Sequence, residues 1–317
     1  PTPSMGLGSN YVVTVYNNGT AVQDTYTIQV VDAAGTVLAS AAGTSLNPGE
    51  TVSTSLTITP AAVGAMDIFG KVVLAGDVNN VNDLSPALPL MVMPADIVMV
   101  TIGDGSNPQG VPFEFYNRNS LFETIYLQSE LNLYGTINNL TFYNSFVTDL
   151  QDKPIKIWLG TTDLDNMSGG WILPDQLTLV YDGIMDFPAG QNIISIPLQT
   201  PYAYLSGNLV MMAHRPMDTA NFNTNDNFLA QTVGTNRARK LSSNTTEYDP
   251  TAPSAAGTLS GTFPKTSIGF SLDGMGSLSG VVTSGGNPLE GVELQIVDTE
   301  LNTTTSVSGQ YSFPYVL

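Results

Sequence analysis

The sequence predicts an all-β protein made of serial β-sandwich domains, and three observations carry that reading. Apolar residues recur at every second position in short runs, as half-buried strands require. Clusters of Gly, Pro and Asn punctuate those runs where turns are needed. No window of helix length keeps a 3.6-residue period.

In chain order, the first alternation is Tyr26, Ile28 and Val30, closed by Ala34-Gly35. Val52, Thr54, Leu56 and Ile58 then alternate with Ser53, Ser55, Thr57 and Thr59, after the turn Asn47-Pro48-Gly49. Further strands are expected at Ile155, Ile157 and Leu159, and at Ile194, Ile196 and Leu198. Leu209, Met211 and Ala213 mark one face of another strand, with Val210, Met212 and His214 on the other. Val292, Leu294 and Ile296 form the last, between Asn287-Pro288 and Ser308-Gly309. Met93-Pro94-Ala95-Asp96 reads as a linker, and the Gly-rich stretch Asp273 to Ser277 as a second. Three units are therefore expected, at 1–94, 95–274 and 275–317. Many short strands joined by such turns mean antiparallel sandwiches, and a jelly-roll-like one suits the long middle unit.

The chain has 317 residues, 27 acidic against 9 basic, for a net charge of −18, and only 11% of its residues are charged. That fraction is under half of the roughly 25% usual in globular domains. The first unit holds six acids and one base (−5), the middle seventeen and eight (−9), the last four and none (−4), so every surface is acidic. Such a field repels phosphate backbones and argues against nucleic-acid partners. Zero cysteine excludes disulfides, thiolate nucleophiles and Cys-ligated metals, and one histidine excludes His-pair zinc sites. The longest apolar stretch, Pro86 to Val100, is broken by Pro89, Pro94 and Asp96 and is too interrupted to span a bilayer. Pro1 is not an initiator and no basic-then-apolar leader precedes it, so a mature or excised segment is expected.

Tyr11-Val-Val-Thr-Val-Tyr-Asn-Asn-Gly-Thr20, Ser45-Leu-Asn-Pro-Gly-Glu50 and Lys71-Val-Val-Leu-Ala-Gly-Asp-Val-Asn-Asn80 together resemble the cell-adhesion-related (CARDB-type) domain of bacteria. That resemblance covers residues 4–93 and implies an immunoglobulin-like sandwich in a secreted or surface protein. Asn18-Gly19 is expected to supply positive φ for a tight turn. Leu278-Ser-Gly-Val-Val282, Asn287-Pro-Leu-Glu-Gly-Val-Glu-Leu294 and Ser308-Gly-Gln-Tyr-Ser-Phe313 are similar to the carboxypeptidase-regulatory-like domain, a small transthyretin-like accessory fold, here in partial form. The middle unit, through Pro112-Phe-Glu-Phe-Tyr116, Lys156-Ile-Trp-Leu-Gly160 and Gly207-Asn-Leu-Val210, resembles β-domains in secreted proteins of Bacteroidota-like bacteria. Both end units look short of strands, which is expected either of a segment of a longer multi-domain protein or of a chain whose open edges a neighbouring copy completes by strand sharing.

Chemistry is sparse. No Gly-x-Ser-x-Gly elbow accompanies His214, so a strand-end structural role is expected and no catalytic residue is assigned. Asp163, Asp165 and Asn166 are the candidate calcium ligands, since hard oxygen donors two residues apart can face one side of a loop. Asp218, Asn223, Asn225 and Asp226 form a second oxygen-rich stretch, and Asp77 to Asp83 a third; metal-free acidic turns are the commoner case for all three. Trp158 and Trp171 admit two readings, a glycan-stacking platform or packing in a core. Five Asn-x-Ser/Thr sequons, at Asn18, Asn139, Asn166, Asn244 and Asn302, are within chance for this composition. The expectation is a non-catalytic extracellular structural or adhesive protein, a homo-oligomer or polymer built through strand sharing. The alternative is a carbohydrate-binding accessory region of a secreted hydrolase.

Overall fold

Alternation dictates strands, and the computed structural model is all-β, with antiparallel sheets throughout. It describes residues 1–77, 79–253, 256–297 and 299–317. The chain divides into two compact units, Pro1–Ile97 and Val98–Leu317.

The first unit contains β1 (Ser9–Tyr16), β2 (Tyr26–Asp32), β3 (Val37–Ala42), β4 (Thr51–Ile58), β5 (Gly64–Leu74) and β6 (Leu88–Val92). They form a two-stranded sheet, β1-β4, and a four-stranded sheet, β3-β2-β5-β6. The even-numbered residues of β2 supply Tyr26, Ile28 and Val30 to the core, and β4 supplies Leu56 and Ile58 from the facing sheet. The period of two thus puts one side of each strand inside and leaves Thr and Ser outside. Gly49 has φ +80°, as the Asn47-Pro48-Gly49 turn requires. Gly19 is not among the positive-φ residues, contrary to expectation. Its N–H instead donates to Asn17 Oδ1 at 2.9 Å, while the Asn17 amide donates to the carbonyls of Ala21 and Leu46. A side chain closes this turn, so the backbone needs no left-handed residue.

The second unit follows β7 (Ile97–Ile102) with β8 (Asn119–Tyr126), β9 (Gly135–Phe146), β10 (Leu150–Thr162), β11 (Thr178–Phe187), β12 (Gly190–Tyr204) and β13 (Asn208–Arg215). Short strands come next: β14 (Asn227–Phe228), β15 (Ala230–Thr232), β16 (Ala238–Ser243), β17 (Thr258–Ser260), β18 (Thr262–Pro264) and β19 (Thr266–Ser271). The last are β20 (Gly276–Val281), β21 (Thr283–Ser284), β22 (Asn287–Pro288), β23 (Glu293–Gln295), β24 (Asn302–Thr304) and β25 (Gln310–Val316). A six-stranded sheet, β11-β10-β13-β8-β16-β17, and a sheet in the order β12-β9-β19-β7 enclose the main core. Phe228 sits at its aromatic centre, in ring contact with Phe113, Phe115, Phe142, Phe146 and Phe187. The segment after Gly274 belongs to the same compact unit, with Leu301 and Phe313 buried in the same core.

Candidate functional site

β1 has a strand neighbour on one side only. It pairs with β4 in an unbroken antiparallel register, and among the described residues no strand pairs with its other edge. Beside that open edge lies a groove of about 560 Å³. Val13 and Val15 of β1 line one wall, and Val72 and Leu74 of β5 line the other. The rim beyond β5 is the segment Asp83–Ser85, where Asp83 O accepts from Val72 N–H and Ser85 N–H donates to Gly70 O, both at 2.9 Å. Val13 and Val15 remain half-buried, whereas Ile28 and Val30 of β2 are fully covered. The cause is lateral: a strand with one neighbour leaves its inward side chains open on the free side. Lys71, the single basic residue of residues 1–97, lines the groove with Asp77 and Asp83.

In the second unit, Glu123, Arg239 and His214 lie on the outer face of the six-stranded sheet. Glu123 of β8 lies opposite Met212 of β13 and Arg239 of β16. Both Glu123 and Arg239 are buried, and each ties down a covering loop. Glu123 Oε2 accepts the Ile172 N–H at 3.0 Å, and Arg239 donates to the carbonyls of Met167 and Ala256. Burial pushes the Glu123 carboxyl up to about 8 against the pull of the Ile172 N–H and Arg239. One row away, His214 lies between Lys156 and Leu121, and burial, with the Lys156 charge, lowers its pKa to about 4. Glu123 escaped the sequence reading, although a lone acid inside Asn119-Ser-Leu-Phe-Glu-Thr-Ile-Tyr126 is the signal that finds it.

Trp158 and Trp171 come together on this face, in one cluster with Leu121 and Met212. Trp158 is 8% exposed. Trp171 is half-buried, with the Arg239 guanidinium 6.0 Å from its ring centre. Asp163 and Asp165 are exposed, and Asn166 is half-buried. The Asn166 amide donates to Asp165 Oδ1 at 2.6 Å, and Asn166 Oδ1 accepts the Ser168 N–H at 3.0 Å. In the second oxygen-rich stretch the acids serve protein donors. Asp226 accepts the N–H groups of Val147, Thr148 and Asn223. Asp218 accepts from Lys153 and from the buried Arg215, each at 3.0 Å. Burial pushes the Asp218 carboxyl upward, but those cations and the Ala220 N–H hold it at about 2. In the third stretch Asp77 Oδ1 accepts the Asn79 N–H, and Val78 lies outside the described residues. Among the described residues no group of three or more His, Cys, Asp or Glu is placed to hold a metal, and no helix is long and apolar enough to cross a membrane.

No family model matches the chain, and no curated protein matches it. Among solved structures it is similar to the secreted serine protease VesC from Vibrio cholerae, at 9% identity and a TM-score of 0.21. That match covers 72% of this chain and 47% of VesC, so the chain spans about half of that protein's length. A likeness of this size carries no argument about fold or chemistry.

Proposed function

We propose that this is a non-catalytic structural or adhesive protein of the extracellular surface, which assembles by pairing strand edges between molecules. The observation that carries the reading is the open β1 edge over its groove. Edge strands are ordinarily blunted by charge, proline or a bulge, because a bare edge templates further pairing. β1, Ser-Asn-Tyr-Val-Val-Thr-Val-Tyr, has none of the three. Calcium on Asp163, Asp165 and Asn166 fits the same setting, as an ion bound to loop oxygens. The carbohydrate-binding alternative rests on Trp171, which is half-buried beside Trp158.

Light scattering of the chain over a wide concentration range tests the proposal, with electron microscopy of the largest species. Growth in mass with concentration, as fibres or layers, is the expected outcome. A monomer at the highest concentration reached removes the assembly reading.

A further inference from the structure

Two strands of this protein have, among the described residues, an edge with no strand neighbour and an aliphatic side chain toward each face. The first is β1, whose outward Val12 is 67% exposed while Val13 and Val15 look into the groove. The second is β20, which among the described residues pairs with β25 alone and has five of its six residues exposed. Leu278 of β20 faces the Phe313 side of that ribbon and is 47% exposed; Val281, three residues on, faces the other side and is 55% exposed.

We infer that β20 of a second copy of this chain pairs edge to edge with β1, filling the groove and joining the two ribbons into one sheet, β4-β1-β20-β25. The inference rests on the assembly reading and names its contact.

Three features select this occupant. The first is hydrogen bonding: a row of free backbone N–H and C=O groups is satisfied along its length only by another extended backbone. The second is size. The groove follows β1 from Val13 to Tyr16, a span of about 13 Å at roughly 3.3 Å per residue, and the six residues of β20 are long enough to run along it. The third is charge. The unit that holds the groove carries an excess of acids with Lys71 as its one cation, while Gly274 to Leu289 contains no charged residue. The strand itself therefore adds no like charge to that acidic surface. Pairing then covers an aliphatic side chain from each partner on each face, the kind of cross-strand contact that stabilises sheets. Because β1 and β20 are different surfaces, the contact is head-to-tail and repeats from copy to copy without closing unless the rotation forms a ring.

The absence of cysteine makes disulfide trapping clean. V12C and Y16C, both on the outer face of β1, are each mixed with L278C and with V281C under mild oxidation. The tagged wild-type-length chains are scored for mixed dimers. Leu278 and Val281 lie on opposite faces of β20, so strand pairing predicts strong trapping with one and little with the other. V63C, at an exposed site of the first unit outside the groove lining, sets the background. A several-fold excess confined to one β20 position is the expected result. Equal trapping at both positions, none above background, or dominant V12C self-dimers overturns the assignment. V12K, which puts a charge on the exposed side of the edge, is expected to shift light-scattering assembly to higher concentration. If wild-type chains assemble while trapping fails, the β20 contact is wrong and the assembly reading survives. If wild-type chains stay monomeric, both fall.

Discussion

Replacing Glu123 with glutamine is expected to flatten the pH dependence of the second unit's stability between pH 6.5 and 8. In the folded chain the Glu123 carboxyl is raised from 4.5 to about 8, because β8 buries it among apolar neighbours. The folded state therefore keeps a proton that the unfolded chain has already released. Its stabilising effect is complete below the unfolded value and is lost as pH rises through about 8. His214 runs the other way. Its folded pKa is lowered from 6.5 to about 4, so its contribution is complete above 6.5 and is lost as pH falls through 4. The interval from 6.5 to 8 is thus governed by Glu123. Roughly one and a half pH units, at about 1.4 kcal/mol each and with half-titration near the upper end, give a loss of about 1.5 kcal/mol. Urea unfolding followed by tryptophan fluorescence reads this unit alone, because both tryptophans, Trp158 and Trp171, lie within Val98–Leu317. Wild type should lose that stability from pH 6.5 to 8, and E123Q should not. Parallel profiles for the two proteins would refute the argument that Glu123 is protonated in the fold.

Asp218→Asn leaves the fully buried Arg215 without its carboxylate and is expected to cost about 3–5 kcal/mol by denaturant unfolding. In wild type the carboxyl is lowered from 3.8 to about 2, so its contribution is present above 3.8 and fades as pH falls through 2. Phe228→Ala empties the centre of the aromatic core and should cost about 3–5 kcal/mol, read as a lower denaturation midpoint of the second unit. Calcium added at millimolar levels is expected to give a calorimetric heat that D165N removes; no heat in wild type strikes the ion from the proposal. Trp171→Ala should abolish any glycan-array signal of the wild-type chain, and unchanged hits leave Trp171 with packing alone.

The period of two locates several of the strands that build the two cores, though not β8, whose eight residues are all buried. Tyr26, Ile28 and Val30 face inward on β2, Leu56 and Ile58 on β4, and Ile155, Ile157 and Leu159 on β10. The Asn47-Pro48-Gly49 turn was equally legible, since its φ demand is local. Alternation says which residues share a face; it does not say what covers that face. Trp158, Met212 and Leu121 occupy the face opposite the main core, and loops carrying Trp171 and Tyr248 bury them. Those loops come from distant parts of the chain, as does β16, which pairs with β8 and brings Arg239 opposite Glu123. The groove has the same origin. β1 reads as an ordinary amphipathic strand, and its exposure follows from where β4, β5 and the Asp83–Ser85 segment lie around it. Local sequence determined the strands, their faces and the acidic, cysteine-free surface, because side-chain period and charge are properties of neighbouring residues. Tertiary structure decided which edges stay open and which charges are buried, because both depend on partners far away along the chain.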